Sequence, residues 1–214
     1  MKNKFIQIKA SKISIAKRKL IFSMGTNDAD YIVMPLIRGK QVTCPFYARW
    51  KNMFNRCYSK KYHEKYPTYI DCAVCEEWLS FTSFKHWMEQ QDWEGKDLDK
   101  DIINPGNKIY DPENCRFITK ELNHLLNDHA AKRGEYPQGV SYDRESKKYK
   151  AGVNIKGTSK NLGRYTTPEL ASAAYIDAKS KTILQAASEQ SDPLISNGLK
   201  LHAAKLTKGL VNAI

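Results

Sequence analysis

Leu98-Asp99-Lys100-Asp101-Ile102, then Gly106-Asn107-Lys108-Ile109-Tyr110-Asp111-Pro112-Glu113-Asn114-Cys115-Arg116-Phe117-Ile118, then Asn123, make up the stretch whose reading decides the fold. Two carboxylates one residue apart lead into a Gly, Asn and Pro-rich loop and a short Cys-Arg-Phe-Ile strand. Thr119 is placed to cap a helix running to about Ala130, with Asn123 in its first or second turn. This is the layout of a metal clamp. A hard divalent ion takes oxygen ligands, and Asp99 with Asn123 would hold it from two sides and leave positions open for phosphate and water. Asn114 would pin the loop through side-chain bonds to the backbone. Composition alone reads equally well as a turn begun by Asp99 and Asp101, with Asn107 and Asn114 as loop residues.

The rest of the chain narrows the choice. Its 214 residues hold one sizeable domain or two to three small ones, and 41% hydrophobic content is ordinary globular material with no run long enough to span a bilayer. The start lacks a signal-peptide core, which places the chain in a cytoplasm. Five cysteines, an odd number, argue for free thiols or metal ligation rather than a disulfide framework. The net charge of +12 is unevenly spread, at about +7 over residues 1–40, −2 over 41–130, +6 over 131–165 and +1 beyond. Such blocks are the footprint of a polyanion partner, although solubility alone would also use them.

Residues 1–43 alternate apolar and polar positions and predict a basic segment of short strands. From Tyr47 the pattern turns helical, with Tyr47, Trp50, Phe54 and Cys57 on one face. A second helix is expected over 76–90, its Trp78, Phe81, Phe84, Trp87 and Met88 forming core. Between them Cys72-Ala73-Val74-Cys75 is half of a possible zinc knuckle, which Cys57 and Cys115 would complete, with Cys44 to spare. The alternative is that these thiols are small buried hydrophobes.

The runs Tyr47 to Tyr58 (Tyr-x-x-Trp-Lys-Asn-Met-Phe-x-Arg-Cys-Tyr), Val74 to Trp78, Leu98 to Asp101, Gly106 to Cys115 and Asn123 together resemble the HNH endonuclease superfamily, in its phage and mobile-element branch related to homing nucleases. The resemblance covers about residues 44–131. It implies a ββα-metal module in which Asp99 and Asn123 hold one Mg²⁺ or Mn²⁺ and Asn114 is the middle, structural letter. Where the superfamily carries the His that deprotonates the attacking water, this chain has Lys100 followed by Asp101. Asp101 would then act as base or extra ligand, or Lys100 as base or charge stabiliser, or the site is catalytically dead. His124 ranks below Asp101, because neighbouring helical residues point about 100 degrees apart.

After Lys132-Arg133-Gly134-Glu135-Tyr136-Pro137-Gln138, a linker by composition, the chain reads as strands at 139–142, 148–155 and 160–165 and a helix capped by Thr167 with Pro168 at its first position. Leu170, Ala173, Ala174 and Ala178 are expected to form its packing face. Gly139-Val140-x-Tyr142, Tyr149-Lys150-Ala151, Leu162-Gly163-x-Tyr165-x-Thr167 and Ala174-Tyr175 resemble the ethylene-response-factor type DNA-binding domain over residues 137–181. That resemblance implies a sheet entering the DNA major groove, with Arg144, Lys148, Lys150, Asn154, Lys156, Lys160 and Arg164 facing DNA. Residues 182–214 read as a helical tail broken near Ser191-Asp192-Pro193.

The expectation is an α+β protein with a basic N-terminal segment (1–43), an HNH-like module (44–131), a three-stranded sheet plus helix (137–181) and a tail (182–214). It would nick or cut double-stranded DNA with Mg²⁺ or Mn²⁺, possessing a structural Zn²⁺ if the cysteines converge, in a bacterial host cytoplasm if phage-encoded. The alternative is an HNH-derived regulator that binds DNA without cutting it.

Overall fold

The structure, a computed structural model, describes residues 5–127 and 134–211. Helices and several small sheets form an α+β protein whose chain divides into two compact units. The first runs through Lys100 and resumes over Asn107–Phe117; the second comprises Asp101–Gly106 and the chain from Ile118 onward. Among the described residues no helix is long and apolar enough to cross a membrane.

The first unit contains α1 (Lys12–Ala16), a hairpin of β1 (Leu36–Ile37) and β2 (Lys40–Gln41), α2 (Pro45–Tyr58), α3 (Lys60–Lys65), β3 (Ala73–Val74), α4 (Phe81–Glu89), β4 (Asp97–Asp99), β5 (Ile109–Tyr110) and most of β6 (Arg116–Ile118). Its core forms where the apolar face of α2 meets α4. Tyr47, Trp50, Phe54 and Cys57, at helical spacing, are buried together with Trp78, Phe81, Phe84 and Met88. β3 pairs in parallel with β5, and β4 pairs with β6.

Two expectations are corrected here. The helix expected over 76–90 is a 3₁₀ turn at Glu76–Leu79 followed by α4, because Ser80 leaves helical geometry and its hydroxyl caps Ser83 N at 3.1 Å. Asp28 completes that cap, accepting from Ser80 Oγ at 2.6 Å and Thr82 N at 2.9 Å. The N-terminal segment is not β-rich among the described residues. Ser11 caps a helix where Ile13 and Ile15 suggested a strand, and Phe22 and Ser23 take left-handed backbone. Only isolated bridges and the β1–β2 hairpin, with Arg38 and Gly39 both at positive φ, are extended pairs. Nor is all of its charge available to a partner: the Arg18 guanidinium donates to the carbonyls of Asn27, Ala29 and Tyr31. Ala29, Tyr31 and Val33 belong to the core of the first unit.

The second unit contains α5 (Lys120–Leu126), the antiparallel meander β7 (Val140–Asp143), β8 (Lys148–Ile155) and β9 (Thr158–Tyr165), and the helices α6 (Pro168–Ser188) and α7 (Pro193–Val211). α5 ends at Leu126, and Ala130, where the sequence placed its end, lies outside the described residues, as do Lys132 and Arg133 of the linker. Thr167 accepts from Leu170 N and starts α6 at Pro168. α6 packs across one face of the meander. The buried positions are Ala171, Tyr175, Ser180, Ile183 and Ala187, whereas Leu170 is 52% exposed, so the packing face is rotated from the expected one. The helix continues past residue 181, and α7 folds back along it. Ile183, Ala187, Ile195, Leu199 and Ala203 of this pair form a second core with Ile102, Ile118 and Leu122.

Gly139 shows why the sheet and α6 fit. Its φ is +76°, and a Cβ there would lie 2.1 Å from Cδ2 of Tyr175. Gly139→Ala is therefore expected to cost roughly 2–4 kcal/mol, combining a left-handed backbone penalty with overpacking against a buried ring. Thermal unfolding followed by circular dichroism checks it, and an unchanged midpoint would mean that the Tyr175 ring gives way freely.

Candidate metal and nucleic-acid sites

β4 is held in place from α2. Arg49 and Arg56, two turns apart on one face, donate to the backbone carbonyls of Lys96 at 2.8 Å and Leu98 at 3.4 Å. Asp99 closes this strand and is half-buried. Both arginines lie off the apolar face formed by Tyr47, Trp50, Phe54 and Cys57. Their service to the strand that ends in Asp99 has no local signal.

Lys100 is bonded into the backbone of its own loop. Only 7% of it is exposed, and its Nζ donates to the carbonyl of Asn107 at 2.5 Å. Asn107 answers by donating Nδ2 to the carbonyl of Lys100 at 2.7 Å and to that of Ile109 at 2.7 Å, while its Oδ1 accepts from Ile109 N. These reciprocal bonds close the neck of the 100–107 loop. In this arrangement Lys100 braces the loop that follows Asp99.

Asn114 is also a brace, with the Asp111 side chain as its partner. Its Nδ2 donates to both carboxylate oxygens of Asp111 at 2.9 and 2.8 Å, and its N–H donates to Oδ1 at 2.7 Å. The turn Asp111 to Asn114 is thereby fixed just before β6. Arg116 wraps the same turn, donating to the carbonyls of Pro112, Glu113 and Cys115.

In the second unit, Thr119 caps α5 by accepting from Leu122 N at 3.2 Å. Asn123 lies one turn in and half-buried, and its neighbour His124 is exposed. The carbonyl of Asp101 accepts from His202 Nε2 of α7 at 2.9 Å. A carbonyl only accepts, so Nε2 carries the proton. Burial lowers the His202 pKa and favours the neutral ring, against the opposing pull of the Asp101 carbonyl.

The Asp99 carboxylate and the Asn123 amide oxygen are hard donors of the kind Mg²⁺ or Mn²⁺ takes. Among the described residues no group of three or more His, Cys, Asp or Glu side chains is arranged to hold a metal. The cysteines are free thiols, with Cys44, Cys57, Cys72 and Cys115 buried in the first core and Cys75 at its margin. Burial, reinforced by Cys72, pushes the Cys57 thiol up to about 12, and burial likewise raises Cys75 and Cys115. They pack as small apolar side chains, and no observation places Cys57, Cys72, Cys75 and Cys115 around one zinc ion.

On the meander, strand register decides which basic residues share a face. Lys150 lies opposite both Ser141 and Arg164, Lys148 opposite Asp143, and Asn154 opposite Ser159. Directly paired residues point the same way, so Lys148, Lys150, Asn154 and Arg164 occupy one face, turned from α6. Tyr149, Ala151 and Val153 occupy the other. The expected set is corrected at two positions. A register shift at Ala151/Gly152 sets Lys160 opposite the buried Val153, on the α6 side, and Lys156 reaches Glu189 at the end of α6 at 3.5 Å. Arg144 sits in the turn after β7. Sequence reading missed Ser141 and Ser159, which with Lys150, Gly152 and Asn154 line a shallow cleft of about 380 Å³ on the outer face. Arg164 is partly committed, its Nε donating to Asp143 Oδ2 at 2.6 Å.

Comparison with family models, with curated proteins and with solved structures finds no match for the chain.

Proposed function

We propose that the chain is a divalent-metal-dependent DNA endonuclease of HNH type, in which the β7–β9 meander binds duplex DNA and the β4–β6–α5 region carries the cutting chemistry. The observation that carries it is the pair β4–β6 followed by a Thr-capped helix, with Asp99 ending the first strand, Asn114 locked before the second, and Asn123 one turn into the helix. Asp99 and Asn123 would hold the ion. The ion would polarise a phosphate oxygen and lower the pKa of a bound water. Asp99 brings negative charge next to a loop in which Lys100 Nζ donates to the carbonyl of Asn107. Asp101, the acidic residue that follows Lys100, is the candidate to take a proton from the attacking water.

On the meander, Lys148, Lys150 and Arg164 would neutralise phosphates, and Asn154 with its serine neighbours would meet base edges in the cleft. Asp143 restrains Arg164. Its hydrogen bond from Arg164 holds the carboxyl at about 2, well below the usual value near ~3.9, so the pair contributes above pH ~4 and is lost as pH falls through 2. Asp143→Asn keeps the turn-forming side chain and removes the charge. It is expected to tighten DNA binding roughly 3- to 10-fold at low salt and to steepen the salt slope by about 0.9, one more phosphate engaged. Fluorescence anisotropy across a salt series reads both, and weaker binding would mean that Asp143 supports the face rather than masking Arg164.

The decisive experiment incubates the purified chain with supercoiled plasmid and cognate phage DNA in Mg²⁺ or Mn²⁺, with and without chelator. Metal-dependent nicking or linearisation is expected, and intact DNA under every metal sinks the nuclease reading. One observation favours a second reading, a DNA-binding regulator without cleavage: the position that should hold the base is occupied by Lys100, which is bonded to Asn107. Salt-dependent binding with no cleavage would establish it.

A further inference from the structure

The loop that follows Asp99 leaves the first unit after Lys100 and returns at Asn107, and its intervening residues, Asp101 to Gly106, pack with α7. Three residues of α7, at helical spacing of four and three, make that contact. Gly198 lies so close that a Cβ there would be 2.0 Å from the carbonyl oxygen of Ile102. His202 donates Nε2–H to the carbonyl of Asp101 at 2.9 Å, and Lys205 Nζ donates to that of Pro105 at 3.4 Å. The side chain of Ile102 is fully buried against Leu199, Ala203 and their neighbours. The same core holds Ile118, at the end of β6, and Leu122, the residue before Asn123.

We propose that α7 is a positioning element of the cleavage site and that His202 is its main polar contact, fixing the main chain at Asp101 and so the direction of the Asp101 carboxylate. This inference rests on the nuclease reading above. α7 itself supplies no reacting atom: it anchors residues that do. The chemistry at three points is complementary in kind. Gly198 permits backbone-to-backbone approach, His202 donates to a part-buried carbonyl, and Lys205 closes the tip of the loop. Groups that orient a metal or catalytic ligand from behind typically matter by about 10- to 100-fold in activity when removed. α6 carries the β7–β9 meander on its first half and α7's core on its second, so the DNA-binding face and the anchored loop are built on one continuous helix.

The test uses the full chain and three variants, His202→Ala, His202→Gln and Gly198→Ala. Turnover of nicked plasmid, DNA affinity at the meander, and amide hydrogen exchange at Ile102 and Ile103 are measured for each. His202→Ala is expected to lower kcat about 10- to 100-fold with DNA affinity unchanged and faster exchange at Ile102 and Ile103. His202→Gln, which can still donate to the Asp101 carbonyl, restores turnover to within a few-fold of the parent. Gly198→Ala, which pushes the helix off the loop, repeats the turnover loss and speeds the same amides. An active parent with His202→Ala equally active overturns this inference alone. Equal losses in His202→Ala and His202→Gln, with exchange unaltered in both, also overturn it, because the imidazole would then act in the chemistry rather than as an anchor. An inactive parent overturns the nuclease reading, and the role assigned to α7 falls with it.

Discussion

Asp99→Ala is expected to reduce DNA cleavage on the order of 10³-fold while leaving DNA affinity within about two-fold of the parent, because under the proposed function it removes a ligand of the ion that stabilises charge in the transition state. The separation follows from where the two proposed sites lie in the chain. Asp99 ends β4 in the first unit, whereas Lys148, Lys150 and Arg164 lie on the meander of the second. Removing the carboxylate deletes a hard oxygen donor, while the arginines of α2 still hold β4 through the carbonyls of Lys96 and Leu98. A thermal scan alongside the plasmid assay separates a chemical loss from a collapsed site. Asn123→Ala should behave in the same direction. If Asp99→Ala cleaves as well as the parent, Asp99 is not a metal ligand and the nuclease chemistry lies elsewhere in the chain.

Trp50→Ala carries the largest expected loss of stability, roughly 3–5 kcal/mol, a large part of the total for a protein of ordinary stability. Trp50 is fully buried and meets Tyr47, Phe54 and Phe81 at ring separations of 5.7, 4.7 and 5.6 Å. Its Nε1 donates to the carbonyl of Trp78 at 2.7 Å, which ties α2 to the 3₁₀ turn before α4. Truncation to Ala opens a cavity the size of an indole and leaves that carbonyl unpaired. Trp50→Phe fills most of the space and isolates the second effect, at about 1–3 kcal/mol. All four tryptophans lie in the first unit, at 50, 78, 87 and 93, so urea denaturation followed by tryptophan fluorescence reports on that unit directly. A loss under about 1 kcal/mol would mean that the core repacks around the gap.

Features set by a few neighbouring residues were legible in the sequence. The apolar spacing of Tyr47, Trp50, Phe54 and Cys57 marks α2, the stretch Lys148–Ile155 is β8, and Thr119 and Thr167 cap the helices they precede. Each depends on a periodicity or on a hydroxyl meeting an N–H three residues on, interactions complete within one or two turns. The break at Ser80 was not legible, because the carboxylate that reinforces it comes from Asp28, fifty-two residues earlier. The N-terminal alternation misled for a related reason: Ile13 and Ile15 are exposed on a short capped helix, and the pattern that suggests a strand carries no buried face to enforce one.

The candidate site divides along the same line. Asp99, Asn114, Thr119 and Asn123 were identifiable as residue types at particular intervals, since a strand end, a tight turn and a helix start are local features. What each side chain does required partners distant in the chain. Lys100 becomes a brace because Asn107 folds back to exchange hydrogen bonds with it, and the loop between them is met by Gly198 and His202, about a hundred residues away. Among the basic residues of the meander, charge and strand alternation alone could not separate Lys150 from Lys160. A register shift at Ala151/Gly152 moves Lys160 to the helix side.

By itself, then, the sequence determined the α+β class and the strands and capped helices of the central and C-terminal segments, consequences of short-range periodicity and chemistry. Only the tertiary structure decided that Lys100 is committed to the backbone, that Lys156 and Lys160 leave the meander's outer face, and that α7 is built into the core beneath Ile102 and Leu122 rather than trailing as a tail. The physical reason is that burial and hydrogen-bond satisfaction are settled by whichever groups the fold brings together, and a buried amine or carbonyl takes the partner it finds in space, not in sequence.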